Sequence, residues 1–309
     1  MPRGPDEVRA QIKGLLPFVH TPFVSLAEVD LSRFRQHLHW LEGFDVKPTC
    51  YFCCCGTGEF WSLTLEEYYS LIRAAVEEVG RRVPVVAGVG YGTRLALQFV
   101  AAAEQAGADA VLVFPPYLAG GPQEGLFAHY GTIAGMTKLA VLIYHRDNAV
   151  FRPATVAHLV ERYPNVIGLK DGYGDLDMLA EMRRLLGEDF LLMNGMPSAE
   201  MYAKRYTAAG IRPYSPGGIE FVPEIAWAFD QALARWDEPE IDRWIDGFYR
   251  PYTELRNQVP GYGIALPKAG LALRGRPTGG VRPPLVDVRP EHRAQLGALI
   301  ERGLGMLKT

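Results

Sequence analysis

The 309-residue chain has no apolar run of the roughly 18 uncharged residues that a membrane-spanning helix requires. It also lacks a long basic stretch, and its formal net charge is −3. Neither nucleic acid nor an anionic membrane is therefore expected as a partner. Met1 to Gly14 mixes charges of both signs and has no apolar centre, so no secretion signal is expected there and a cytoplasmic location is. No glycine-rich dinucleotide fingerprint follows the first apolar run, where His20-Thr21-Pro22-Phe23 stands instead. Cysteine is scarce as well. The four present, Cys50, Cys53, Cys54 and Cys55, crowd into one segment, and no second pair exists elsewhere to complete a tetrahedral site. Successive strand residues face opposite ways, so adjacent cysteines do not converge on one ion. They read as small buried hydrophobes, without a disulfide in a reducing compartment.

What the chain does contain is a repeating alternation. About half of it is hydrophobic, 48 %, and short apolar runs recur at 15–20, 49–55, 83–90, 110–115, 139–145, 166–170, 190–194 and 212–215. Amphipathic patterns separate them, at 65–79, 94–106, 123–135, 153–162, 175–186 and 198–209. Thr64-Leu65-Glu66-Glu67 has capping-box spacing and marks one helix start. The apolar runs are mostly continuous, as in parallel strands covered on both faces. Eight such runs alternating with helices predict an α/β fold, a (β/α)8 TIM barrel over residues 1–235. An open doubly wound sheet is the alternative. Helical patterns at 241–257, 262–274 and 290–307 make residues 236–309 a C-terminal helical extension packed on that barrel.

In such a barrel, chemistry sits at the C-terminal ends of the strands. The residue that stands out there is Lys170, at the end of Val166-Ile167-Gly168-Leu169-Lys170-Asp171-Gly172. Burying an ammonium is costly, so a lysine ending a buried strand is a candidate amine nucleophile for imine formation. A lysine that snorkels outward or pairs with Asp171 is the alternative. Tyr144 ends the preceding strand, one strand–helix repeat earlier, and neighbouring strands lie about 4.8 Å apart. Phenol and amine can thus share a pocket. Gly56-Thr57-Gly58-Glu59 follows the second run. Its backbone N–H groups and the Thr57 hydroxyl would suit a carboxylate, although an ordinary tight turn has the same letters. If Tyr144 faces inward, His145 faces away.

Gly56 to Glu59, Tyr144, and Gly168-Leu169-Lys170-Asp171 together resemble the dihydrodipicolinate synthase/N-acetylneuraminate lyase family, over about residues 15–285. The chain is most similar to the dehydratase branch, through Gly56-Thr57-Gly58-Glu59-Phe60, Pro115-Pro116-Tyr117-Leu118, Arg146-Asp147-Asn148-Ala149-Val150, Lys170-Asp171-Gly172, Lys268-Ala269-Gly270-Leu271 and Val281-Arg282-Pro283-Pro284-Leu285. The resemblance implies a Schiff-base lyase acting on a small keto sugar acid. Lys170 would be the imine lysine and Tyr144 the proton relay. Gly56, Thr57 and Gly58 would hold the carboxylate beside the ketone. Ser215 and Gly217 would meet the distal end of the substrate, Asn194 would lie behind the lysine, and Glu59 would fix its loop. No cofactor or metal is implied. The family is usually dimeric or a dimer of dimers, so a homodimer or homotetramer is expected.

Two departures set the chain apart from the synthases. Leu118 follows Tyr117 where they carry a second tyrosine. Ala149 stands where they carry a carboxylate-gripping arginine, and Arg146 is offered instead as a substrate ligand, unless it merely bridges to Asp147. Both favour the dehydratase branch, in which 5-dehydro-4-deoxyglucarate loses water and carbon dioxide to give 2,5-dioxopentanoate. His145 differs from that branch too. An aldolase acting on another 2-keto-3-deoxy acid would share these residues. A non-catalytic keto-acid sensor, or a barrel using Ser215-Pro216-Gly217-Gly218 as a phosphate cradle, are readings of a different class.

Overall fold

A computed structural model describes residues 2–26 and 28–308. A short antiparallel ribbon joins β1 (Phe23–Ser25) to β2 (Glu28–Val29). The main sheet is parallel and contains β3 (Tyr51–Cys53), β4 (Val85–Val89), β5 (Ala110–Val113), β6 (Ala140–His145), β7 (Val166–Asp171) and β8 (Leu191–Asn194), each paired with the next in sequence. Helices Leu65–Val79, Thr93–Ala106, Gln123–Gly135, Pro153–Arg162 and Leu176–Leu186 form the crossovers. The predicted capping box is present: Thr64 accepts from the Glu67 N–H while Glu67 accepts from Thr64.

Two of the eight expected strands are reduced to single bridges. The segment around Leu15 to Val19 bridges Phe52 through Phe18 and bridges Tyr214 through Leu15, and Tyr214 in turn bridges Asn194. These contacts close the ring, so the fold is a (β/α)8 TIM-type barrel with six regular strands. Proline explains the shortfall. Pro17, Pro213 and Pro216 have no N–H to donate, and pairing continues through the amides beside them, such as Val19 N–H to Phe52 O, and through proline carbonyls, as in Phe52 N–H to Pro17 O and Asn194 N–H to Pro213 O.

The helix expected over 198–209 is likewise interrupted, with a 3-10 turn at Ala199–Tyr202 before a helix at Ala203–Ala208. The one expected over 241–257 becomes helix Glu238–Trp244, a π-turn at Ile245–Tyr249, and helix Arg250–Arg256. Pro251 cannot continue the regular N–H ladder there.

Strand alternation sorts the core into two layers. Phe52, Leu112, Leu142, Ile167 and Met193 fill the barrel interior, while Tyr51, Val111, Ile143 and Leu192 pack against the helices. The cysteines divide the same way: Cys50 and Cys55 face inward, Cys53 and Cys54 outward. All four are free and buried, and burial pushes the thiols up, Cys50 to about 12. A separate cluster joins Phe221 and Phe229 to Trp244, Phe248, Leu266 and Leu296 of the C-terminal helices. Among the described residues no helix is long and apolar enough to cross a membrane.

Candidate active site

β6 and β7 pair in register with Tyr144 opposite Lys170 and His145 opposite Asp171. This pairing depends on a one-residue register shift lower down, between Val141 and Leu142 of β6, where β7 advances from Val166 to Gly168. The shift changes which β7 residues face inward. Gly168 permits it, since a Cβ there would lie 2.5 Å from Leu191 O. Lys170 consequently points into the barrel, only 4 % exposed. Its Nζ stands 4.0 Å from the centre of the Tyr144 ring and 4.6 Å from that of Phe18. Among the described residues no carboxylate lies within ion-pair distance of it.

The alternative partner, Asp171, faces the other way. It accepts from the Tyr173 and Gly174 N–H groups and from the Tyr206 hydroxyl, and so shapes the loop after β7. His145 also points outward, its Nδ1 accepting from the Phe151 N–H at 3.1 Å.

Tyr144 donates to Gly195 O and accepts from Arg146 Nη1, each at 3.1 Å. Burial pushes the phenol up, but the charges of Lys170 and Arg146 outweigh it and hold its pKa below the ordinary tyrosine value. Arg146 also bonds Asp147, with Nε 2.7 Å from Oδ2, and keeps a third of its side chain in solvent. Both readings of Arg146 thus coexist: it bridges to Asp147 and borders the site.

The turn Gly56 to Glu59 is closed by a Glu59 N–H to Gly56 O bond. Two aromatic rings tie it to the lysine. Phe18 lies under Lys170 Nζ and its carbonyl accepts from Thr57 Oγ1 at 2.7 Å; Phe114 stacks edge-on to Tyr144 and faces Gly56. The Thr57 hydroxyl is therefore committed to fastening the loop, contrary to the donor role expected for it. The Thr57 and Gly58 amides donate to no carbonyl or side chain among the described residues.

Two other expected positions are also engaged internally, and a third through its backbone alone. Asn194 is fully buried, donating to Ala199 O and accepting from Met196 N–H, so it secures the loop after β8 rather than meeting a ligand. The Gly217 amide donates to Glu200 Oε1 at 2.8 Å. A carboxylate already occupying that amide makes the Ser215-Pro216-Gly217-Gly218 segment a poor phosphate cradle. Ser215 is half-buried, with its N–H on Asn194 O and no partner for its hydroxyl among the described residues.

Sequence reasoning placed Gly195 at a strand end without a role and passed over Phe18 and Glu200. A Cβ on Gly195 would lie 2.5 Å from Lys170 Cγ and 2.9 Å from Nζ, so glycine is required beside the lysine. The available signal was its place directly after Asn194 at a strand end. Nothing local marks Phe18 or Glu200, whose roles arise from contacts across the ring.

A closed barrel with a buried amine beside a tyrosine, and no carboxylate paired with it among the described residues, at the carboxyl ends of its strands is the class that fold and site define. The chain belongs to the dihydrodipicolinate synthetase family, whose model matches residues 11–302. It is 48 % identical over 295 residues to a probable 5-dehydro-4-deoxyglucarate dehydratase 1 of Streptomyces coelicolor, covering 94 % of this chain and 92 % of that one. A probable 5-dehydro-4-deoxyglucarate dehydratase of Bradyrhizobium diazoefficiens is 40 % identical over 299 residues, covering 96 % and 95 %. Among solved structures, a dihydrodipicolinate synthase of Bacillus anthracis superposes with a TM-score of 0.84 at 25 % identity, covering 94 % of this chain and 98 % of its own. The synthase of Oceanobacillus iheyensis reaches 0.86 at 21 % identity, covering 99 % and 100 %, a likeness of fold.

Proposed function

We propose that the chain is a Schiff-base lyase of the cytoplasm that converts 5-dehydro-4-deoxyglucarate to 2,5-dioxopentanoate, carbon dioxide and water. The observation that carries this reading is the pairing of a buried Lys170, free of carboxylate partners, with a Tyr144 whose pKa is held down. The dehydratase names of the relatives that share 40–48 % of their residues with it supply the substrate.

In its neutral form Lys170 attacks the C5 ketone, and loss of water leaves an iminium that serves as electron sink. The C6 carboxylate beside it rests on the Thr57 and Gly58 amides, with Gly56 giving the turn its approach. Tyr144 takes a proton from C4, and the resulting enamine expels the C3 hydroxyl as water. The new C3–C4 double bond is conjugated with the iminium, so the C1–C2 bond breaks and its electrons flow into the same sink as carbon dioxide leaves. Reprotonation and hydrolysis release the product and restore Lys170. The imine supplies the electron sink, so no metal or redox cofactor is required. Arg146 keeps Tyr144 acidic and offers a cation at the border of the site for the far carboxylate, while Ser215 offers a hydroxyl to the distal end. Asn194 and Gly217 act through the loops they secure.

We expect a homo-oligomer, a dimer or tetramer. Tyr117 and Leu118, 68 % and 85 % exposed after β5, suit a contact surface better than a solvated one.

The test is borohydride trapping with pyruvate, followed by peptide mapping, then measurement of carbon dioxide release from the sugar acid. A stable adduct on Lys170 that is absent from Lys170→Ala protein, together with carbon dioxide release, is the expected result. An adduct elsewhere sinks the mechanism; pyruvate released from a larger acid in place of carbon dioxide makes the chain an aldolase.

A further inference from the structure

A second buried lysine lies apart from this chemistry. Lys268, in the C-terminal helix Tyr262–Leu273, is 3 % exposed and its Nζ is 2.7 Å from Glu59 Oε1. The contact is an ion pair; the aligned hydrogen bond of Nζ goes to Gly280 O, also at 2.7 Å. Glu59 itself is fully buried, and its Oε2 accepts from the Arg282 N–H at 2.9 Å. The Arg282 guanidinium continues to Ser62 O at 2.8 Å and to the Glu67 carboxylate at 2.9 Å. Phe23 is packed against both cations, with Lys268 Nζ 4.2 Å and Arg282 Cζ 4.3 Å from its ring centre. Its N–H donates to Thr278 O. The segment 278–282 thus lies across the loops that follow the first and second strands of the ring.

Glu59 adjoins Gly58 and adopts φ +54°, a left-handed conformation that a non-glycine residue holds only when its surroundings impose it. Its side chain is the handle by which they do so. Thr57 and Thr21 pin the turn from the barrel side, through Phe18 O and Gly58 O. The C-terminal segment pins it from the other.

We propose that Lys268 and Arg282 are positioning residues for the Gly56 to Glu59 turn, holding Glu59 so that the Thr57 and Gly58 amides converge on the substrate carboxylate. The C-terminal extension is then part of the binding machinery as well as a packed appendage. This inference rests on the Schiff-base reading above, and pyruvate separates the two. It carries the carboxylate and ketone but no distal end.

The experiment titrates pyruvate in borohydride trapping of wild-type protein, Lys268→Met, Lys268→Arg and the Glu59→Gln/Lys268→Met pair, with melting temperatures alongside. The pair leaves no unpartnered buried charge, so it tests the inference even where Lys268→Met does not fold. The expected result is a rise of about ten- to a hundredfold in half-saturating pyruvate for the folded Met variants, since displacing a binding group by about 1 Å costs that much. The trapping rate at saturation should stay near wild type because Lys170 is untouched, and Lys268→Arg should recover most of the affinity. Folded Met variants with wild-type half-saturation overturn the proposal. So does hydrogen exchange on the wild-type adduct, if pyruvate protects residues 56–60 and leaves 278–282 unchanged. Failure of wild-type protein to trap pyruvate overturns the Schiff-base reading instead.

Discussion

Lys170 and Lys268 are two nearly inaccessible lysines in one molecule, at 4 % and 3 % exposure, and each lies over an aromatic ring. They differ in what meets the nitrogen. Lys268 has a carboxylate and a carbonyl, the partners that make a buried cation tolerable. Lys170 has the faces of Tyr144 and Phe18, with Asp171 turned outward onto its own loop. A cation supplied with acceptors is a fastening. An amine with no carboxylate beside it has no ion pair to give up before it meets a carbonyl carbon. Burial alone does not separate structure from chemistry; the neighbours do.

The sharpest break in that comparison is a pair of substitutions. Lys170→Ala should reduce carbon dioxide release to background while leaving the melting temperature nearly unchanged. Lys268→Met should cost about 3–5 kcal/mol of stability, because it strands Glu59 as a buried unpaired charge, and should weaken pyruvate binding while keeping the trapping rate at saturation. Equal thermal losses in both variants would show that Lys170 is also a fastening.

Next in size is Tyr144→Phe, expected to lower kcat by about 10²–10⁴-fold, the range for a lost proton-transfer group, with pyruvate trapping largely kept. Since Lys170 and Arg146 hold the phenol below its ordinary pKa, and Tyr144 accepts the C4 proton as phenolate, the rise of the wild-type rate with pH that it governs should lie below the free tyrosine value of about 10. Gly195→Ala adds a methyl 2.5 Å from Lys170 Cγ and should cost about a hundredfold in trapping rate through misplacement of the amine. An unchanged rate would mean that the lysine has room the geometry denies it.

The smallest effect concerns Glu200, a buried group of the opposite sign. Burial raises its pKa to about 7, against the N–H bonds it accepts from Gly217 and Gly218. Its folded pKa exceeds its unfolded one, so the native chain binds a proton here that the unfolded chain has released. That stability is fully present below about pH 4.5 and is lost as pH rises through about 7, on the order of 3 kcal/mol in all. In Glu200→Gln this decline should vanish from urea unfolding compared at pH 5 and pH 8. A decline that persists places the titration at another group.

Much of this was legible in the letters. The continuous apolar runs marked β3 to β8 because parallel strands are buried on both faces, and the capping box at Thr64 marked a helix start within the residue. Lys170 and Tyr144 were legible because a polar residue ending an apolar run has to be accounted for. Prolines 17, 213 and 216 were equally visible, yet their effect on the ring depends on which N–H groups the neighbouring strands ask for, and that is a question of pairing partners.

Local sequence by itself therefore determined the repeating strand and helix plan and the two reactive side chains, since periodicity and strand ends are properties of adjacent residues. Tertiary structure decided everything that requires distant residues to meet. The register shift at Gly168 set Lys170 opposite Tyr144, the Phe18 carbonyl took the Thr57 hydroxyl, and Glu200 took the Gly217 amide. Glu59 met Lys268 and Arg282 across more than 200 residues of chain. Hydrogen bonds and charge pairs act over a few ångströms of space, and separation along the chain carries little information about them.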